Sequence, residues 1–249
     1  VARTYPEAAA ALQALADAVK DCRLCGLCNG RTQVVFGVGS PVARLMFVGE
    51  GPGFHEDRQG EPFVGQAGKL LNTLLEQIGM SRADVYIANV VKCRPPENRD
   101  PLPDEIEACR PHLMDQIALI RPAVICTLGR FAAKLLTGTE LSMTAVHGKA
   151  KPMTVAGVDL VVFPVFHPAA ALYTPANRAV LEEDFVKLRY LLERGLPRAD
   201  TAPPEGMGTM TASTTTSGCA ETEEPASAPA ASAATVHGQS RQSEQLHLW

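Results

Sequence analysis

The stretch that most restricts this chain runs from Leu45 to Ile78. Leu45-Met46-Phe47-Val48 is a short, unbroken apolar run, the pattern of a strand buried on both faces. Gly49-Glu50-Gly51-Pro52-Gly53 follows, and glycines there let backbone approach a ligand closely. From Ala67 the apolar spacing changes to a helical period, with Leu70, Leu71, Leu74, Leu75 and Ile78 on one face. Strand, glycine loop and helix in succession are how an open α/β sheet builds a site beyond its strand ends. Taken alone the loop also fits a tight turn with spare glycines.

Further along the chain the alternation repeats. Asp84–Val91 is rich in β-branched residues and reads as a second strand, stopped by Lys92-Cys93-Arg94-Pro95-Pro96. A helix is expected from about Asp104 to Ile120. A third strand is expected over Ala123–Leu128, and a further helix from Gly129 through Leu136. A hairpin-like stretch comes next, turning near Ala156-Gly157. A fourth strand, Leu160–Val165, leads into Phe166-His167-Pro168, and a last helix occupies roughly Arg178–Glu193. Residues 5–20 form an amphipathic helix ahead of this body. The pattern predicts an α/β fold in three layers, α/β/α, around a central, mostly parallel four-stranded sheet. Glu50, Asn89, Gly129 and His167 each stand just after a strand, so distant segments deliver polar groups to one sheet edge.

Two domain-level regions are expected. Residues 1–195 form the folded body. Residues 196–249 are rich in Ala, Ser, Thr, Pro and Gly, lack the apolar residues needed to offset ordering entropy, and are expected to be disordered. That tail is a candidate tether for a repair or replication partner. The formal net charge of −4 argues against a strongly basic nucleic-acid binder, though a sum hides local patches. No 18-residue apolar run or secretory leader is evident, so a cytoplasmic protein is expected, without membrane contact.

Seven cysteines in such a chain point to metal, redox or buried use rather than disulfides. Cys22 and Cys25 are a CxxC pair, with Cys93 and Cys109 far downstream. Four thiolates from separate segments can hold zinc or a [4Fe–4S] cluster, and spacing does not choose between them. Four ordinary buried thiols are the alternative. Cys28 leaves the set ambiguous, and Cys126, inside an apolar strand, reads as core.

Three runs, GEGPGFHEDRQGEPFVGQAG, IANVVKCRPPENRDPLPDEIEAC and FPVFHPAAAL, together resemble the family 4, iron–sulfur uracil-DNA glycosylases. The resemblance covers residues 20–194. It implies a hydrolase that flips uracil from single- or double-stranded DNA and breaks its N-glycosidic bond in base-excision repair, acting as a monomer. It implies a structural [4Fe–4S] cluster on Cys22, Cys25, Cys93 and Cys109. By the same resemblance Phe63 stacks on the base, Asn89 reads its edge, and backbone near Gly51 binds O2. His167 stabilises the departing uracil, Glu50 positions water or contacts substrate, and Glu56 crowds the C5 position. Lys92, Arg94 and Arg178 become candidate phosphate contacts, and Leu172 a candidate wedge. Ala169 and Tyr173 depart from the family pattern after His-Pro. The loop Arg94–Asp104 contains no histidine, which disfavours the related class that traps its abasic product covalently. A non-catalytic, metal-stapled DNA-binding module of the same fold is the competing reading.

Overall fold

The computed structural model describes residues 4–194. In chain order the elements are α1 (Tyr5–Val19), β1 (Val38–Gly39), β2 (Leu45–Gly49), α2 (Phe54–Gln59), α3 (Gln66–Gln77) and β3 (Tyr86–Asn89). They continue with α4 (Pro103–Ile120), β4 (Val124–Leu128), α5 (Arg130–Thr137), α6 (Met143–Val146), β5 (Lys151–Val155), β6 (Val158–Val165), α7 (Pro168–Leu172) and α8 (Pro175–Arg194). The four expected strands are present within a residue or two of their expected ends.

The sheet is larger than expected. It has six strands in the order β1-β3-β2-β4-β6-β5. The inner four, β3, β2, β4 and β6, are parallel, whereas β1 and β5 join antiparallel at the two edges. The four-stranded expectation is therefore corrected to a mixed sheet with a parallel centre. Two residues of β1 carry too little pattern to announce a strand. β5 is mostly exposed at an edge, so it lacks the apolar run of a central strand. Its hairpin with β6 turns at Ala156-Gly157, where Ala156 takes φ 50° and Gly157 φ 71°.

β2 and β4 are buried at every position, as strands covered on both faces must be. On one face, Leu70, Leu71, Leu74 and Leu75 of α3 and Leu181, Phe185 and Leu188 of α8 pack on Leu45, Phe47, Ile87 and Cys126. Phe47 and Phe185 stack with centroids 5.8 Å apart. On the other face, Leu113, Ile117 and Ile120 of α4 and Ala132 and Leu136 of α5 pack on Met46, Val48, Ala88 and Ile125. The chain thus leaves β2 for β3 over one face and returns from β3 to β4 over the other. That reversal opens a crevice beyond the end of β2. Among the described residues no helix is long and apolar enough to cross a membrane.

Candidate active site and cysteine site

A cavity of about 420 Å³ opens at that crevice, lined by Gly51, Glu56, Phe63, Asn89, His167 and Leu172 among others. Six residues singled out from sequence, drawn from separate segments, therefore share one wall. Close approach at β2 makes this possible. Gly49 pairs in register with Asn89. A Cβ on Gly49 would collide with Asn89 Oδ1 and stand 2.6 Å from Phe63 Cζ, so ring and amide meet over a position with no side chain.

Phe63 is held in an uncommon conformation, φ 54°, and is 6% exposed. A bulky residue there costs about 1–3 kcal/mol and persists only where its surroundings enforce it. Arg82 supplies that enforcement, donating Nη2 to Pro62 O at 2.7 Å and Nη1 to Phe63 O at 3.1 Å. Burial lowers the Arg82 pKa from its ordinary value. From below, a Cβ on Gly68 would overlap the Phe63 carbonyl, so α3 starts against the loop only because that residue is glycine. The ring faces His167, with centroids 5.6 Å apart and planes 30° apart.

Asn89 is 1% exposed, and its Oδ1 is buried without a hydrogen-bond donor. Such an acceptor costs about 1–3 kcal/mol in a folded protein and asks for an explanation. His167 caps α7, its Nδ1 accepting from Ala169 N at 3.1 Å. An accepting Nδ1 puts the proton of the neutral ring on Nε2. Desolvation pulls the His167 pKa down to about 4, so the ring is neutral near pH 7.

Glu56 lines the cavity and also clasps it. Its Oε1 accepts from Val64 N and Gly65 N, both at 2.9 Å. Asp57 accepts from Thr32 N through both oxygens and fixes α2 from the far side. Glu50 stands elsewhere. It lines an adjacent small cleft with Gly51, Pro52, Gly53, Pro95, Asn98 and Arg99. Gly51 borders both spaces, but the Glu50 side chain is not among the residues of the main cavity. Burial pushes the Glu50 carboxyl up to about 7, with Asp100 adding to the rise and Arg130 opposing it.

The basic residues divide. Lys92 is not a phosphate contact: it is 1% exposed, with Nζ donating to Gln116 Oε1 at 2.6 Å and Asn89 O at 2.9 Å. Sequence shows its charge but not its depth; the apolar Val90-Val91 before it was the available signal. Arg178 is exposed and already paired with Glu182 at 3.0 Å along α8. Arg94 is half-buried, 5.2 Å over the ring of Phe54, and Leu172 is 40% exposed at the cavity rim. Sequence reasoning missed Phe54, His55, Gln66 and Tyr173 as lining residues, since the short helix α2 inside the glycine loop had no periodic signal.

Cys22, Cys25, Cys93 and Cys109 surround a second, small cavity, joined by Cys28, Arg31 and His112. Arg31 Nη1 donates to Cys93 Sγ at 3.3 Å, and Lys92 N donates to Cys109 Sγ at 3.2 Å. His112 Nε2 lies 3.5 Å from Cys22 Sγ, and Cys28 Sγ lies 3.5 Å from Asn29 Oδ1. Burial raises the pKa of Cys25, Cys109 and Cys93, the last to about 11. Among the described residues no three His, Cys, Asp or Glu side chains converge as a ready grip for one metal ion. Cys126 is buried within β4, as expected of a core thiol.

A doubly wound sheet with a cavity where β2 reverses its neighbours, walled by a ring, an amide and an imidazole, defines an α/β protein with a ligand crevice at its topological switch point. Residues 36–189 match the model of the uracil DNA glycosylase superfamily, and the chain belongs to that superfamily. Within it, the chain is similar to curated type-4 uracil-DNA glycosylases. The relative from Sulfurisphaera tokodaii is 49% identical over 185 residues, spanning 72% of this chain and 84% of the relative. That from Saccharolobus solfataricus is 50% identical over 186 residues, 73% of this chain and 86% of the relative. That from Archaeoglobus fulgidus is 46% identical over 193 residues, 75% of this chain and 97% of the relative.

Proposed function

We propose that the chain is a uracil-DNA glycosylase, a hydrolase that takes uracil from single- or double-stranded DNA and leaves an abasic site in base-excision repair. The observation that carries this is the orphaned Asn89 Oδ1 in a cavity shared with the Phe63 ring and the His167 imidazole. Flipping a base out of the stack costs about a few kcal/mol, and stacking on Phe63 offsets part of it. Asn89 Oδ1 accepts uracil N3–H while its amide N–H₂ donates to O4; cytosine presents the opposite polarity. As the C–N bond breaks, negative charge grows on the base. Neutral His167 donates from Nε2 to O2, and the backbone N–H near Gly51 adds a second donor, so that charge is stabilised where it develops. Glu56 holds the wall facing the base at Val64 and Gly65, where it bars a methyl at C5. Glu50, with a pKa near 7, positions the attacking water from the adjoining cleft across Gly51. Leu172 fills the space the base leaves.

We assign the cysteine site to a [4Fe–4S] cluster. Thiols from three segments around one cavity, with N–H donors on Cys93 and Cys109, suit a cluster that spreads its four ligands over four irons. Bound there, it would staple the N-terminal segment to α4 and to the loop after β3, supplying folding energy rather than chemistry. Iron analysis with a visible absorption spectrum tests this assignment, and stoichiometric zinc without iron would end it.

The catalytic reading is tested by incubating the protein with uracil-containing and matched thymine-containing DNA, then treating with alkali. Strand scission only in the uracil substrate is expected, and its loss in His167→Ala. Intact DNA beside an active control enzyme would favour a non-catalytic DNA-binding module.

A further inference from the structure

Phe54 is 45% exposed, unusual for a large aromatic, and it lines the cavity. Two guanidiniums lean on this one ring: Arg58 Cζ at 5.4 Å and Arg94 Cζ at 5.2 Å from its centroid. Arg58 is one turn along α2, whereas Arg94 comes from the loop after β3. Both supports are fixed. Asp57 ties α2 to Thr32, and Arg94 Nε donates to Asn98 Oδ1 at 2.7 Å. Among the described residues neither arginine makes an ion pair with a carboxylate, although the chain carries net charge −4. Two like charges gathered on one ring repel each other. A cation–π contact of about 0.5–1 kcal/mol each at an exposed site compensates only partly. A shared anion would supply the rest, and planar guanidinium forks match a phosphate's oxygens.

We propose that Arg58 and Arg94, gathered by Phe54, form a phosphodiester clamp at the mouth of the cavity. It grips the backbone of the strand whose base has entered, and so fixes that strand without reading its sequence. The clamp rests on the glycosylase reading above, and its test separates the two.

The experiment measures binding of the full chain, in a His167→Ala background that slows cleavage and at times short against its residual turnover, to a single-stranded oligonucleotide with one uracil, between about 50 and 200 mM salt. A phosphate contact on a single strand contributes about 0.7 to the slope of log K against log salt. Arg58→Ala and Arg94→Ala should each flatten the slope by about that much, and the double variant by about twice as much. Phe54→Leu should flatten it partway. The inhibition constant for free uracil should be the same in Arg58→Ala as in wild type, since the clamp holds the backbone and not the base. An unchanged slope in both arginine variants overturns the clamp. Equal weakening at every salt concentration in Phe54→Leu, with the slope kept, also overturns it and makes the ring a base-stacking surface. Wild-type protein that releases no uracil defeats the glycosylase reading; active wild type with unaltered slopes defeats the clamp alone.

Discussion

The base cavity and the cysteine site are neighbours in the chain, with Asn89 in one and Cys93 in the other, yet they are built by different means. The cavity is made by the sheet: parallel strand ends, a glycine without a side chain, and an amide oxygen left short of a donor. Its amide lacks a donor and its imidazole is held neutral. The cysteine site owes little to the sheet. Its thiols come from the segment after α1, the loop after β3 and α4, and protein groups already donate to two of the sulfurs. One region leaves an amide oxygen unmet inside the cavity; the other gathers thiols from distant segments, which the proposed cluster would tie together. Loss of a key side chain should therefore cost rate in the first and stability in the second.

The largest effect is expected from His167→Ala, which should lower kcat by about 10²–10³. Its uracil-release rate would show this, with thermal unfolding close to wild type. A large loss of stability instead would place His167 on the structural side of the divide. Cys109→Ala should do the reverse, lowering unfolding free energy by about 4–5 kcal/mol or more, as loss of a metal site does. Calorimetry and visible absorbance report it; a stable, colourless, fully active variant would erase the contrast.

Gly49→Ala should blur the boundary, since its Cβ strikes both the Asn89 amide and the Phe63 ring. Overpacking of this kind costs about 1–3 kcal/mol, and KM for uracil-containing DNA should rise with it. Retained KM with lowered stability would show that the amide and ring can shift together.

The smallest effect concerns Glu50, whose pKa rises from 4.5 to about 7 on folding. Between those values the folded chain binds the proton that the unfolded chain has released. Its stabilising contribution is thus complete below pH 4.5 and is lost as pH rises through 7. Glu50→Gln should accordingly raise the melting temperature at pH 8 and change it little at pH 4.5. If the carboxylate positions water, wild-type kcat/KM should also fall as pH drops through about 7, and the variant should show no such limb.

Much of this was legible before any coordinates. Glu50, Asn89 and His167 were found because each follows an apolar run, and chain order alone places such residues at one sheet edge. Phe63 was found from its motif. Depth was not legible: Lys92 is written like any surface lysine but lies beneath the site. Nor was facing. Glu50 directly follows Gly49, yet its carboxyl lies in a different cleft, because successive residues at a strand end point to opposite sides. Arg82 had no signal at all, for its role is to hold two carbonyls far away in sequence. Residues 196–249, expected to form a disordered tail, lie outside those described.

Lys92 carries one more consequence. Its backbone nitrogen reaches Cys109, and its ammonium reaches the carbonyl of Asn89. A single residue thus spans from a candidate iron ligand to the backbone of the residue proposed to read the base. On the proposed assignments, displacement of the Cys109 thiolate would reach the Asn89 backbone through one intervening residue, so chemical injury to the staple and loss of discrimination would arrive together.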